Sequence, residues 1–188
     1  MMRPLFVYGG LSGAIAIIVM CINVSMGNMG LLLGYAVLFA AMSLIFVCIK
    51  RYRDEALGGV IRFGTALKLG LGISLVAGIV YVIGWELFLW STGFDFFEHY
   101  LAMEMETKQA GGATAAELAQ MRAEMAAMAE RYNEDPLFRI ELTLLEILPV
   151  GILVTLVSAL LLRRSSFLPA RGAAGGGVIG LAAGGGCW

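Results

Sequence analysis

Charge is scarce in this chain. Lysine, arginine, aspartate and glutamate make up 14% of its 188 residues, 60% are hydrophobic, and the mean hydropathy is +0.85. Ordinary soluble domains are about one-quarter charged, so this balance excludes a soluble core and indicates a polytopic membrane protein. Cysteine is scarce too: Cys21, Cys48 and Cys187 are too few and too scattered for a disulfide framework, and free thiols are expected. His99 is the single histidine, which leaves no second imidazole for a metal. No GxSxG, HExxH, phosphate-binding glycine loop or CxxC is present, nor an activated serine with histidine or a paired aspartate motif for intramembrane proteolysis. No basic groove with aromatic platforms is written here, which argues against nucleic acid. The chain therefore reads as non-enzymatic, with no cofactor implied.

What is present is a set of four apolar runs. They cover about Leu5 to Ile22, Leu31 to Ile49, Leu69 to Trp90 and Leu142 to Leu162, and runs of roughly 20 residues cross a bilayer as helices. The start MMRPLF carries one positive charge and no small-residue cleavage site follows the first run, so that run is expected as a retained span. Gly9 and Gly13 in the first span, and Gly70, Ser74 and Gly78 in the third, have the spacing that lets helices approach closely. The turn Ser25 to Gly30 is short enough to return the second span as an antiparallel neighbour. Gly58-Gly59 breaks the connection after the second span, and Ile61, Phe63 and Leu67 are expected on the membrane surface.

The expected architecture is an all-α integral membrane fold in which residues 1–171 form a four-span domain with a periplasmic helical hairpin, residues 91–139, between the third and fourth spans. Ala110-Gly111-Gly112 separates the two hairpin helices, and Thr114 with Glu117 has capping-box spacing. Leu118, Met121, Met125, Met128 and Tyr132 share one helix face, expected to pack on the hairpin itself, the membrane or a partner. Residues 172–188 are glycine-rich and too short for a fifth span; they read as a flexible tail or as the product of a shifted reading frame. Orientation follows from the basic residues. Arg3, Lys50, Arg51, Arg53, Arg62, Lys68, Arg163, Arg164 and Arg171 fall on one side, against Lys108, Arg122, Arg131 and Arg139 in the long loop. The positive-inside rule places both termini in the cytoplasm and, in a Gram-negative inner membrane, the hairpin in the periplasm.

Glu146 is the one ionisable residue within the fourth run. It stands about five residues past Glu141, roughly 7 Å deeper than the membrane edge, where a carboxylate has to be protonated, paired or wetted. Glu86 lies at a matching depth, inside Trp90. Asn23 and Tyr35 fall at similar levels, so Glu86, Glu146, Asn23 and Tyr35 are expected to form a polar layer. Two carboxylates sharing such a layer resist double ionisation, as in a proton or cation centre; the plainer reading is an interhelical hydrogen-bonded lock. Gly151 and Thr155 lie nearly opposite Glu146 on the helix, and Gly70 nearly opposite Glu86. Lys50, Arg51 and Arg53 in KRYRDE are read as a topology signal or a site for lipid headgroups. Asp95, His99 and Met103 share a helix face, but such a stripe more commonly packs than holds copper, and no metal is expected.

The run IKRYRDEALGGVIRFGTALKLGLGISLVAGIVYVIGWE, from Ile49 to Glu86, and LTLLEILPVGILVTLVSALLLRR, from Leu142 to Arg164, resemble a bacterial membrane family known as domain of unknown function 4199. KRYRDE, WE and LEILPVG carry the resemblance, with the Tyr132 to Pro136 feature late in the loop. It implies a small four-span protein and no activity. From the residues, the expected function is an accessory or interaction subunit of a membrane assembly, bound to a membrane-protein partner or to copies of itself. The alternative is a small proton- or cation-coupled carrier that uses Glu86 and Glu146.

Overall fold

The computed structural model describes residues 2–27, 31–93 and 95–170; the tail 172–188 and residues 28–30 of the first turn lie outside them. Every regular element among the described residues is helical: α1 (Met2–Ser25), α2 (Leu31–Met42), α3 (Leu44–Arg51), a π-helical turn (Tyr52–Ala56), α4 (Phe63–Thr92), α5 (Phe96–Ala110), α6 (Ala115–Glu134) and α7 (Pro136–Leu162). α2 and α3 form one rod with a local break at Ser43, whose hydroxyl donates to the Ala40 carbonyl at 2.6 Å. Four rods, α1, α2–α3, α4 and α7, are long and apolar enough to cross a membrane, which marks a multi-pass membrane protein. α5 and α6 make a helical hairpin between the third and fourth.

Helices run beyond their apolar stretches because their ends are capped. The Asp135 carboxylate accepts from the N–H groups of Leu137 and Phe138 at 3.0 and 3.2 Å, and Pro136 opens α7 where no donor is needed. α7 therefore begins six residues ahead of Leu142, across a stretch that carries Arg139 and Glu141, and it continues through Pro149 without ending. Asp95 caps α5 through Glu98 N–H. Thr114 and Glu117 form the expected capping box, Glu117 accepting the Thr114 N–H at 2.7 Å and Thr114 accepting the Glu117 N–H at 3.3 Å.

α4 is the central rod, packed between α1 and α7, while α2–α3 closes the ring against α1 and α7. The small residues set these contacts. A Cβ added at Gly13 would lie 2.5 Å from the Ala77 carbonyl oxygen, and one at Gly9 would lie 2.7 Å from Val76 Cβ, so α1 rides directly on the α4 backbone. Across the other face, a Cβ at Gly70 would lie 2.5 Å from Thr155 Cγ2, and one at Gly151 would lie 2.7 Å from Ser74 Oγ. Gly70 thus meets Thr155 and Ser74 meets Gly151: four residues up α4 correspond to four residues down α7.

The connection after the π-helical turn differs from expectation. Ile61, expected on the membrane surface, is 2% exposed and belongs to the core, and Phe63 packs partly buried against it. Gly58 and Gly59, at φ of 65° and 95°, reverse the chain in a conformation that side-chain-bearing residues rarely adopt. The Gly59 N–H then closes the turn on the Arg53 carbonyl at 2.9 Å, which tucks Ile61 under the bundle.

Candidate functional site

Continuing the α4–α7 correspondence in steps of four from Ser74 and Gly151 brings Gly78 level with Ile147, Val82 with Thr143 and Glu86 with Arg139. The last pair closes on itself. Arg139 Nε and Nη2 donate to Glu86 Oε1 and Oε2, both at 2.7 Å, a two-pronged charge-assisted contact. The Arg139 side chain is 15% exposed and that of Glu86 31%. The third prong, Nη1, donates to the Tyr132 carbonyl at 3.0 Å, so one guanidinium ties α4, the last turns of α6 and α7 together.

Tyr132 is the other half of this joint. Its hydroxyl accepts from Trp85 Nε1 at 2.6 Å, and Arg139 sits over its ring at 5.6 Å. Phe96, at the start of α5, stands edge-on to Trp85 at 5.5 Å and tilted on Tyr132 at 6.0 Å. Arg131 covers the Phe138 ring at 4.2 Å. Burial pushes the Tyr132 phenol up to about 12, because a phenolate there would lose its water. The foot of the hairpin is therefore a polar and aromatic joint built from α4, α5, α6 and α7.

The four residues of the expected polar layer occupy different environments. Glu86 is taken by Arg139. Glu146 lies about two turns further along α7 and is half-buried; among the described residues its carboxylate enters no hydrogen bond or ion pair. Asn23 donates to the Val19 carbonyl of its own helix at 2.8 Å. Tyr35 is 39% exposed on α2. No hydrogen bond among the described residues joins any two of the four. Arg139, the strongest partner in the site, was legible only as one more basic residue of the loop; the signal that finds it is the step of four from Ser74 and Gly151.

At the opposite end of the bundle, Lys50, Arg51 and Arg53 also part company. Arg53 is fully buried. Its Nε donates to Asp54 Oδ1 at 2.7 Å and its Nη1 to the Phe167 carbonyl at 2.9 Å, with Nη2 on the Leu168 carbonyl. It closes the chain leaving α7, where carbonyls have no helical partner. Lys50 pairs with Asp54 at 2.6 Å and Arg51 with Glu55 at 3.0 Å, Arg51 also donating to the Tyr8 hydroxyl. In the hairpin, Asp95 serves as the α5 cap, and His99 Nδ1 lies 2.8 Å from the Asp95 carbonyl oxygen. Among the described residues no three His, Cys, Asp or Glu side chains gather as a metal site.

Comparison with curated proteins and with solved structures gives no significant match to either. A family model does match, over residues 7–164, from the first span through the two arginines that follow α7. It covers all four long apolar rods, the hairpin and the joint at its foot, and the chain thus belongs to the family described as Protein of unknown function (DUF4199).

Proposed function

We propose that the chain is a non-enzymatic accessory or interaction subunit of a membrane assembly, with the α5–α6 hairpin as its docking arm. The observation that carries this reading is the joint. Glu86, Arg139, Trp85 and Tyr132 fasten the foot of the hairpin to the ends of α4 and α7, while the outer faces of α5 and α6 stay exposed. An arm held this way binds without first being ordered, which saves part of the entropic cost of association. The partner is a second membrane protein or another copy of the chain. The basic-residue asymmetry supports a bacterial inner-membrane location with both termini cytoplasmic and the hairpin periplasmic.

The test replaces the exposed residues of α5 and α6 while keeping Trp85, Phe96, Tyr132 and Arg139. The expected result is loss of a stoichiometric partner, or of self-association, in mild detergent while the bundle stays folded. A monomer without partner in both forms refutes the reading. Orientation is checked by labelling Met128→Cys with a membrane-impermeant maleimide on intact spheroplasts; protection until lysis would reverse it.

A second reading, a proton- or cation-coupled carrier, is favoured by Glu146 alone, since a carboxylate inside an apolar helix with no hydrogen bond or ion pair among the described residues marks a functional position. Glu146→Gln then abolishes proton or cation flux in proteoliposomes. Absence of flux with the unmodified protein removes this reading.

A further inference from the structure

The end of the bundle away from the hairpin gathers basic residues of two kinds. Lys50, Arg51 and Arg53 are used internally by Asp54, Glu55, Tyr8 and backbone carbonyls. Arg62, Lys68, Arg163 and Arg164 are exposed, and among the described residues none of their side chains enters an ion pair or hydrogen bond. The α4–α7 register sets two of these at one height. Stepping by fours from Gly70 and Thr155 toward this end puts Ala66 level with Ala159, both fully buried. The next step puts Arg62 level with Arg163, and Arg164 follows directly.

The flanking chain converges on the same place. A Cβ added at Gly59 would lie 3.3 Å from that of Ala170, and Arg53 holds the Phe167 carbonyl, so the segments before α4 and after α7 run side by side. Arg62 is also the N-cap of α4, in extended conformation, and makes no side-chain cap. The positive end of α4 and the negative end of α7 meet at this level and largely offset, so the local field is that of the arginines themselves. Like charges at one level, just outside the ends of two apolar helices and with no carboxylate paired to them among the described residues, call for an anion.

We propose that Arg62, Arg163 and Arg164 hold the phosphate of an anion at the membrane edge. The phosphodiester of an acidic phospholipid and free phosphate offer the same oxygen geometry, and guanidinium forks match it in a two-pronged way. The site is separate from Lys50, Arg51 and Arg53, and it does not depend on what the hairpin binds.

The test follows thermal unfolding of the intact chain in mild detergent while phosphatidylglycerol, phosphatidylcholine or inorganic phosphate is added. Phosphatidylglycerol is expected to raise Tm saturably. The midpoint should move up about 25-fold in Arg62→Gln/Arg163→Gln, at about fivefold per basic residue near an anionic surface. Arg122→Gln, on the hairpin, should leave it unchanged. A response to phosphatidylglycerol alone assigns the site to a lipid headgroup; an equal response to inorganic phosphate, lost in the same double variant, assigns it to a soluble anion. Either result supports the phosphate clamp. A midpoint unmoved by the double substitution overturns it, as does an equal response to phosphatidylcholine that the substitutions leave intact. Should the double variant fail to accumulate, the single variants, at about fivefold each, and native mass spectrometry of retained phosphatidylglycerol give the same decision.

Discussion

Replacing Glu86 and Arg139 by glutamine, singly and together, measures the joint directly. Glu86→Gln exchanges two bonds between full charges for one from the Arg139 guanidinium to an uncharged amide oxygen. Charge-assisted bonds contribute about 1.5–3 kcal/mol each and neutral ones about 0.5–1.5. Because the Glu86 side chain is 31% exposed, water recovers part of the loss, and a net cost of about 1–1.5 kcal/mol is expected. Arg139→Gln removes both prongs and also the bond to the Tyr132 carbonyl, so about 2–3 kcal/mol is expected. The double variant should cost little more than Arg139→Gln alone, because the first substitution has already removed the partner of the second. The cycle therefore yields a coupling of about 1 kcal/mol, a factor of about five in the folded-to-unfolded ratio. Reversible unfolding of the purified chain in mixed micelles, titrated with a denaturing detergent, reads each value. Additivity within about 0.5 kcal/mol would refute the argument. Glu146→Gln in the same assay is expected to be near neutral, since its carboxylate holds no hydrogen bond or ion pair among the described residues.

Arg53→Ala should be the most damaging single change, about 3–5 kcal/mol, because it empties a fully buried site and leaves the carbonyls after α7 without their donor, while Asp54 keeps only Lys50; Arg53→Lys, a point charge, should not rescue it in a thermal-unfolding assay. Gly70→Val should cost about 1–3 kcal/mol by forcing α4 from Thr155, while Gly10→Ala, where an added Cβ meets nothing within 4 Å, should leave Tm unchanged. Tyr132 ionises near 12 when folded and near 10 when unfolded. A raised phenol contributes stability that is complete below the unfolded value and is lost as pH rises through the folded one. Alkaline destabilisation should therefore begin near pH 10 and level off near 12, with the Tyr132→Phe variant losing that part of the profile.

Much of the architecture is legible in the sequence because it is written locally. Long apolar runs specify the rods, Thr114 and Glu117 specify a cap, and Gly70, Ser74, Gly151 and Thr155 specify where backbones touch. The partner of Glu86 is not written locally: Arg139 lies 53 residues away, and finding it requires knowing that α4 and α7 are neighbours and in which register. Depth counting matched Glu86 with Glu146 because it compares heights and carries no information about which side chain reaches which. Arg53 was hidden for a similar reason. In KRYRDE it looks like its exposed neighbours, and only the π-helical turn with the Gly58-Gly59 reversal rotates it inward. Ile61 follows from that same reversal.

The small residues that bring α4 and α7 together repeat every four positions, and such a repeat has no unique zero. Sliding α7 by one turn, about 6 Å, would set Gly70 against Ala159, Ser74 against Thr155 and Gly78 against Gly151, a fit that sterics alone would accept. The same slide would leave Arg139 beside Trp90 and Glu86 beside Thr143. Separating the two charges adds a cost that the small-residue packing does not itself supply. The Glu86–Arg139 pair thus acts as the index mark on a ruler whose graduations are otherwise identical, and its part in the fold is to choose among alignments as much as to strengthen one of them.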